Sequence, residues 1–118
     1  MSLAPASSPK CALGYKHPEA DGQKYFVFFA DDRRWLHPSL GLCELLGFSA
    51  SELTGITSDK LFPPGVEWNQ QLYLDFVSRG YLQTFVLLQA KSGVLVGLKT
   101  KSQKLKDGCM LATFTPYP

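Results

Sequence analysis

The sequence predicts an α+β fold built on one antiparallel sheet, and three observations predict it. A pair of strand-like segments comes first, helical segments follow as a block, and three further strand-like segments close the chain. A doubly wound parallel sheet would instead alternate strand with helix. The length of 118 residues suits one core, since single-core domains are commonest at about 100–150 residues.

The expected organisation is a flexible leader over residues 1–22 and one domain over 23–118. The leader carries Pro5, Pro9, Pro18, Ser7, Ser8, Gly14 and Gly22, which are turn formers without apolar periodicity. From Tyr25 the text changes to YFVFFA, aromatic and branched residues that suit a buried strand. Asp31-Asp32-Arg33-Arg34 then reads as a tight polar turn, and RRWLH as a returning strand.

Pro38 suits the first turn of a helix, and Leu42, Cys43, Leu45 and Leu46 recur at three- and four-residue spacing before Gly47 ends it. Ser49 followed by Glu52 matches a capping box, with Gly55 as the stop. After Pro63-Pro64-Gly65, the segment Glu67 to Arg79 places Trp68, Leu72 and Phe76 four apart, as one helix stripe requires. Glu67 near the amino end and Arg79 near the carboxyl end agree with the helix dipole, and Gly80 terminates this longest helix. The remainder reads as strands YLQTFVLLQA, VLVGLKTKS and CMLATFT, separated by Ser92-Gly93 and Asp107-Gly108. Val94, Val96 and Leu98 share the face better suited to the core.

An apolar fraction of 45% and a charged fraction of 19% are ordinary for a globular chain, which argues against a disordered or fibrous protein. No apolar run reaches the ~18–20 residues of a membrane span, and MSLAPASSPK lacks a signal-peptide stretch, so the cytoplasm is the expected location. A net charge of +2 is too small to indicate nucleic acid. Lys91, Lys99, Lys101, Lys104 and Lys106 read as a solvated strand face, because no aromatic platform is interleaved with them. Cys11, Cys43 and Cys109 are too few and too scattered for a disulfide framework or a zinc site, and free, packed thiols are expected.

The order of elements, taken with HPSLGLCELLGFSASELTG at residues 37–55 and VSRGYLQTFVLLQAKSGVLV further on, resembles the PAS family of sensor domains from roughly Tyr25 to Thr115. The resemblance implies a five-stranded antiparallel sheet, short helices and one longer helix, with a cavity between that helix and the sheet. It also implies a sensory role. Members bind haem, flavin or small metabolites, or fill the cavity with side chains. They commonly regulate a linked kinase, cyclase, phosphatase or transcription factor, in two-component and other signalling systems, often as dimers. The family's cavity position, laid over the apolar periodicity, nominates Cys43, Leu46, Trp68, Leu72, Phe76, Val86, Leu88, Val96, Leu98 and Leu111 as ligand-binding residues.

Haem-binding members present a histidine from the long helix, whereas Glu67 to Arg79 contains none, and His37 reads as a turn residue. The Asn-Cys-Arg stretch of light-sensing members is missing between Gly55 and Phe62. Noncovalent flavin would need inner-face hydrogen-bonding groups, for which Gln83, Gln89, Thr100 and Thr113 are the candidates. No cofactor or metal is named, and no direct contact with nucleic acid or membrane is expected. The acidic residues form no pair that the sequence places across a cleft, no phosphate loop or nucleophile elbow is present, and His37 and Cys43 are a poor nucleophile-base pair, so no catalytic residue is assigned. The competing expectation is a ligand-free dimerisation or docking module. Because Pro116 and Pro118 resist the connecting helix such domains usually carry, the chain is expected to be a piece of a larger signalling protein.

Overall fold

A computed structural model describes residues 23–105 and 108–117. The expected leader over 1–22, with His17 and Cys11, lies outside the described residues, as do Lys106 and Asp107 of the last turn. The described chain forms β1 (Phe26–Phe29), β2 (Trp35–Pro38), α1 (Leu40–Leu46), α2 (Ala50–Leu53), a 3-10 turn (Ser58–Leu61), α3 (Gln70–Arg79), β3 (Tyr81–Gln89), β4 (Leu95–Lys104) and β5 (Met110–Pro116).

All five strands join one antiparallel sheet in the order β2-β1-β5-β4-β3. The first and last strands are therefore neighbours at its centre. Their register pairs Val27 with Ala112 and Phe29 with Met110, while β4 and β5 pair Thr100 with Phe114 and Ser102 with Ala112. Side chains alternate across a sheet, so Val27, Phe29, Leu88, Leu98, Thr100, Ala112 and Phe114 share the inner face. The helices cover this face, and Leu42, Cys43, Leu46, Leu53 and Leu61 complete its core. Phe26, Phe28, Cys109 and Leu111 form a smaller buried cluster on the outer face, with Leu36 and Leu105 against it.

Local chemistry explains the helix bounds. Pro38 ends β2 instead of opening α1, because Ser39 is the N-cap, accepting from the Leu42 N–H. The capping box at α2 is present, with Ser49 and Glu52 each bonded to the other's backbone N–H. α1 and α3 stop at Gly47 and Gly80, whose φ values of 79° and 80° occupy the left-handed region that a residue without Cβ enters freely. The long helix begins later than its charge pattern predicts. Asn69 caps it by accepting from the Leu72 N–H, which leaves Glu67 and Trp68 ahead of the first turn.

Cys43 is free and buried, as expected, whereas Cys109 is disulfide-bonded, which corrects the expectation of free thiols there. No helix among the described residues is long and apolar enough to cross a membrane.

Candidate functional site

α3 spans the inner face of the sheet at a distance from it, and a cavity of about 260 Å³ remains between them. Its apolar walls come from Leu72 and Phe76 of α3, Val27 and Phe29 of β1, Trp35 of β2, and Val86, Leu88 and Phe114 of the sheet. Such a mainly apolar hollow with few polar groups is the usual composition of a small-molecule site, although its volume falls just below the roughly 300–1,000 Å³ common for drug-sized ligands.

Thr84, Thr100 and Ser102 bring hydroxyls to the sheet side of this space, and Ser58 and Tyr73 bring others from outside the sheet. Thr84 lies directly opposite Thr100 in the β3–β4 ladder, and Ser102 stands two residues further along β4 on the same face. Thr100 is buried, at 5% exposure, and its Oγ1 has no hydrogen-bond partner. A buried hydroxyl left in that state costs about 1–3 kcal/mol, which sets it apart from the other buried side-chain polar atoms of the described residues.

The mouth is built differently. Arg33, in the β1–β2 turn, has φ 76°, a conformation that residues with a Cβ seldom adopt. Its guanidinium carbon sits 4.0 Å from the centre of the Trp68 ring, and Nη1 donates to Asp59 Oδ1 at 3.1 Å. Trp68 Nε1 donates to Gln70 Oε1 at 2.7 Å, and the Tyr73 hydroxyl donates to the Asp31 carbonyl oxygen at 2.9 Å. A string of aromatic contacts leads inward from Trp68 to Tyr73 (5.5 Å), on to Phe76 (6.2 Å) and across to Phe29 (6.3 Å). The Thr57 hydroxyl, with help from Arg33, holds the Asp59 carboxyl below its usual range. Burial pushes the Tyr73 phenol up, with Arg33 opposing.

Of the residues nominated from the sequence, Trp68, Leu72, Phe76, Val86 and Leu88 line this cavity. Cys43, Leu46 and Leu98 lie in the packed core beside it, with Val96 against that core. Leu111 points to the opposite face, into the cluster around Phe28. The hydrogen-bonding candidates divide in the same way. Thr100 lines the cavity, whereas Gln83, Gln89 and Thr113 fall on the outer face by their pairing with Lys101, Leu95 and Lys101. His37 is exposed on β2, with its ring 6.4 Å from that of Phe28, and Cys43 is in the core with its thiol pKa raised by burial, so the two are not brought together. Sequence reasoning missed Phe29, Trp35 and Phe114 as wall residues, and Arg33 and Tyr73 at the mouth.

The fold is shared with solved structures. The chain aligns with a light-oxygen-voltage domain studied with a flavin analogue at TM-score 0.76 and 19% identity, covering 91% of this chain and 88% of that one. It aligns with a domain of a sensory box sensor histidine kinase/response regulator from Geobacter sulfurreducens at TM-score 0.66 and 17% identity, covering 75% and 79%. A PAS domain in complex with ethanol, from a LuxR-family transcriptional regulator of Burkholderia thailandensis, aligns at TM-score 0.66 and 15% identity, covering 78% and 87%. No protein-family model matches the sequence, and no curated protein matches it. The chain has the PAS/LOV fold: a five-stranded antiparallel sheet with helices on its inner face.

Proposed function

We propose that this is a PAS-like sensory domain that holds a small ligand between α3 and the sheet and passes its presence to a linked effector such as a kinase, cyclase, phosphatase or transcription factor. The observation that carries the reading is the apolar cavity under α3, walled by Leu72 and Phe76 opposite Val86 and Leu88. A hollow with mainly apolar walls and a few polar groups has the composition of a small-molecule site. Sensor and regulator domains of the same fold, one of them in complex with ethanol, support the same role. Thiol-flavin chemistry of the light-sensing kind is not part of the reading, because no cysteine is among the described residues that line the cavity. No catalysis is assigned to the domain.

The test is a native mass spectrum and an ultraviolet-visible spectrum of one purified sample, alongside Leu72→Trp, which fills the cavity. A reproducible extra mass that disappears in the variant is the expected result. The same mass retained in Leu72→Trp would overturn the reading.

A second reading, a docking or self-association module, draws on the outer face of the sheet. Phe85, Leu95 and Tyr117 are 61%, 51% and 63% exposed, and the Phe85 and Tyr117 rings meet edge to face at 5.2 Å. Large apolar groups gathered in the open often mark an interaction surface. A persistent dimer with no bound molecule would favour this reading.

A further inference from the structure

We infer that the ligand of this cavity is an uncharged, largely apolar small molecule carrying one hydrogen-bonding group, and that the hydroxyl of Thr100 is its anchor. The inference rests on the ligand-binding reading above and specifies what that ligand is.

The polarity of the wall sets the class. Thr100 Oγ1 is the buried side-chain polar atom left without a partner among the described residues, and Thr100 is one of the residues that line the cavity, so a turn of its side chain would bring the hydroxyl to the wall. Its register neighbour Thr84 and its strand neighbour Ser102 add further hydroxyls beside it. A hydroxyl both donates and accepts, so this end of the cavity accommodates an alcohol, a carbonyl or an amide equally well. Around it the wall is apolar, formed by Phe29, Leu72, Phe76 and Phe114.

Charge sets the second limit. Arg33 and Glu67 are the charged residues among the described residues that line the cavity, and both lie at its mouth. The Arg33 guanidinium is already compensated, by Asp59 at 3.1 Å and by the Trp68 ring at 4.0 Å. An ionised ligand group beside Thr100 would therefore lose its water without meeting an opposite charge, which costs several kcal/mol. A neutral molecule meets no such penalty, and its one polar group can pair with the Thr100 hydroxyl. The volume of about 260 Å³ keeps the molecule small.

The experiment measures binding of toluene, benzyl alcohol and benzoate to the full chain and to Thr100→Val, by calorimetry and by ligand-induced shifts in melting temperature. Thr100→Val keeps the side-chain shape and deletes the hydroxyl, and Thr100→Ser keeps the hydroxyl as a control that does not depend on the valine protein folding. The expected result is that the ratio of benzyl alcohol to toluene affinity falls about three- to tenfold in Thr100→Val, the range of one ordinary hydrogen bond. Toluene binding and the Thr100→Ser ratio stay near those of the parent, and benzoate binds the parent most weakly. An unchanged ratio in Thr100→Val, or a lost ratio in Thr100→Ser, would overturn the anchor while leaving a ligand cavity intact. Tightest binding by benzoate would overturn the neutral class. Failure of all three probes to bind the parent would overturn the inference, and failure together with no extra mass in the native spectrum would remove the ligand-cavity reading itself.

Discussion

Arg33 and Trp68 face each other at 4.0 Å, a guanidinium lying over an indole, and the contact joins the β1–β2 turn to the segment that leads into α3. The Asp59 carboxylate at 3.1 Å brings in the 3-10 turn as a third party. Three connections that share no regular hydrogen bonding are thereby gathered around one cation. Arg33 holds this place in a left-handed backbone conformation that costs about 1–2 kcal/mol in a residue with a Cβ.

Removing that cation should free the indole. A partly buried cation–π contact contributes about 0.5–2 kcal/mol, so Arg33→Ala is expected to leave the domain folded while Trp68 becomes mobile. Trp35, at 3% exposure, is shielded, and acrylamide quenching of tryptophan fluorescence therefore reports on Trp68. Quenching should rise in the variant, and a quenching constant equal to that of the parent would refute the role given to Arg33.

The Ser39 hydroxyl does more than cap a helix. It accepts from the Leu42 and Phe26 N–H groups at 3.1 and 3.0 Å and donates to the Lys24 carbonyl at 2.8 Å, so it ties α1 to the start of β1. Ser39→Ala removes all three bonds at a buried position, and a loss of about 2–3 kcal/mol follows from a lost cap plus buried groups deprived of a bond. Urea unfolding measures it. A loss below about 0.5 kcal/mol, the range of an ordinary surface change, would contradict this account.

Gly41 supplies a test of sign. Inside an exposed helix, replacing glycine by alanine stabilises by about 0.8–1 kcal/mol. Here a Cβ on Gly41 would run into the Lys24 carbonyl oxygen, which belongs to the stretch that Ser39 holds in place. Gly41→Ala is therefore expected to destabilise by about 1–3 kcal/mol, as overpacking does, and a rise in melting temperature would show that the two segments are free to separate.

Acid should loosen the tie between α2 and the β3–β4 turn. The Lys91 ammonium, 2.8 Å away, and the Ser49 backbone N–H hold the Glu52 carboxyl at about 2, below its ordinary value of 4.5. A carboxyl depressed by folding contributes stability that is complete above about 4.5 and is lost as pH falls toward 2. Asp59, lowered chiefly by the Thr57 hydroxyl, acts in the same direction. Melting temperature should therefore fall between pH 5 and 2 more steeply in the parent than in Glu52→Gln. Parallel curves for the two proteins would show that Glu52 contributes nothing to the acid response.

Elements with a clear period or a clear stop were legible in the sequence. The Ser49–Glu52 box, the glycine stops at 47 and 80, and the alternation through Val96 and Leu98 each correspond to a single local rule, whereas Val94, expected on the same core face, precedes β4 and is 61% exposed. The cavity wall was legible where one helix face decided it, at Leu72 and Phe76. It was not legible in strands that are apolar on both sides. Met110, Leu111, Ala112 and Phe114 are all buried, so composition does not say that Leu111 faces away from Phe114; pairing with Phe28 on one side and Gln103 on the other does. Phe29 was obscured in the same way within YFVFFA. Trp68 carried the spacing of a helix residue, but the Asn69 cap, two positions after the expected start at Glu67, overrode that pattern. Arg33 gave no signal, because its partners Asp59 and Trp68 are distant in sequence and are assembled by the fold.

The placement of β1 beside β5 has a kinetic consequence. Phe26 pairs with Thr113 and Val27 with Ala112, so the middle of the sheet closes between segments from opposite ends of the described chain. Loop-closure entropy is lost before such distant contacts contribute, and topologies of this kind fold slowly for their size. During synthesis the β1–β2 hairpin must remain without its central neighbour until β5 leaves the ribosome. In that interval the backbone edge of β1 and the apolar side chains of Val27 and Phe28 stay open to other chains.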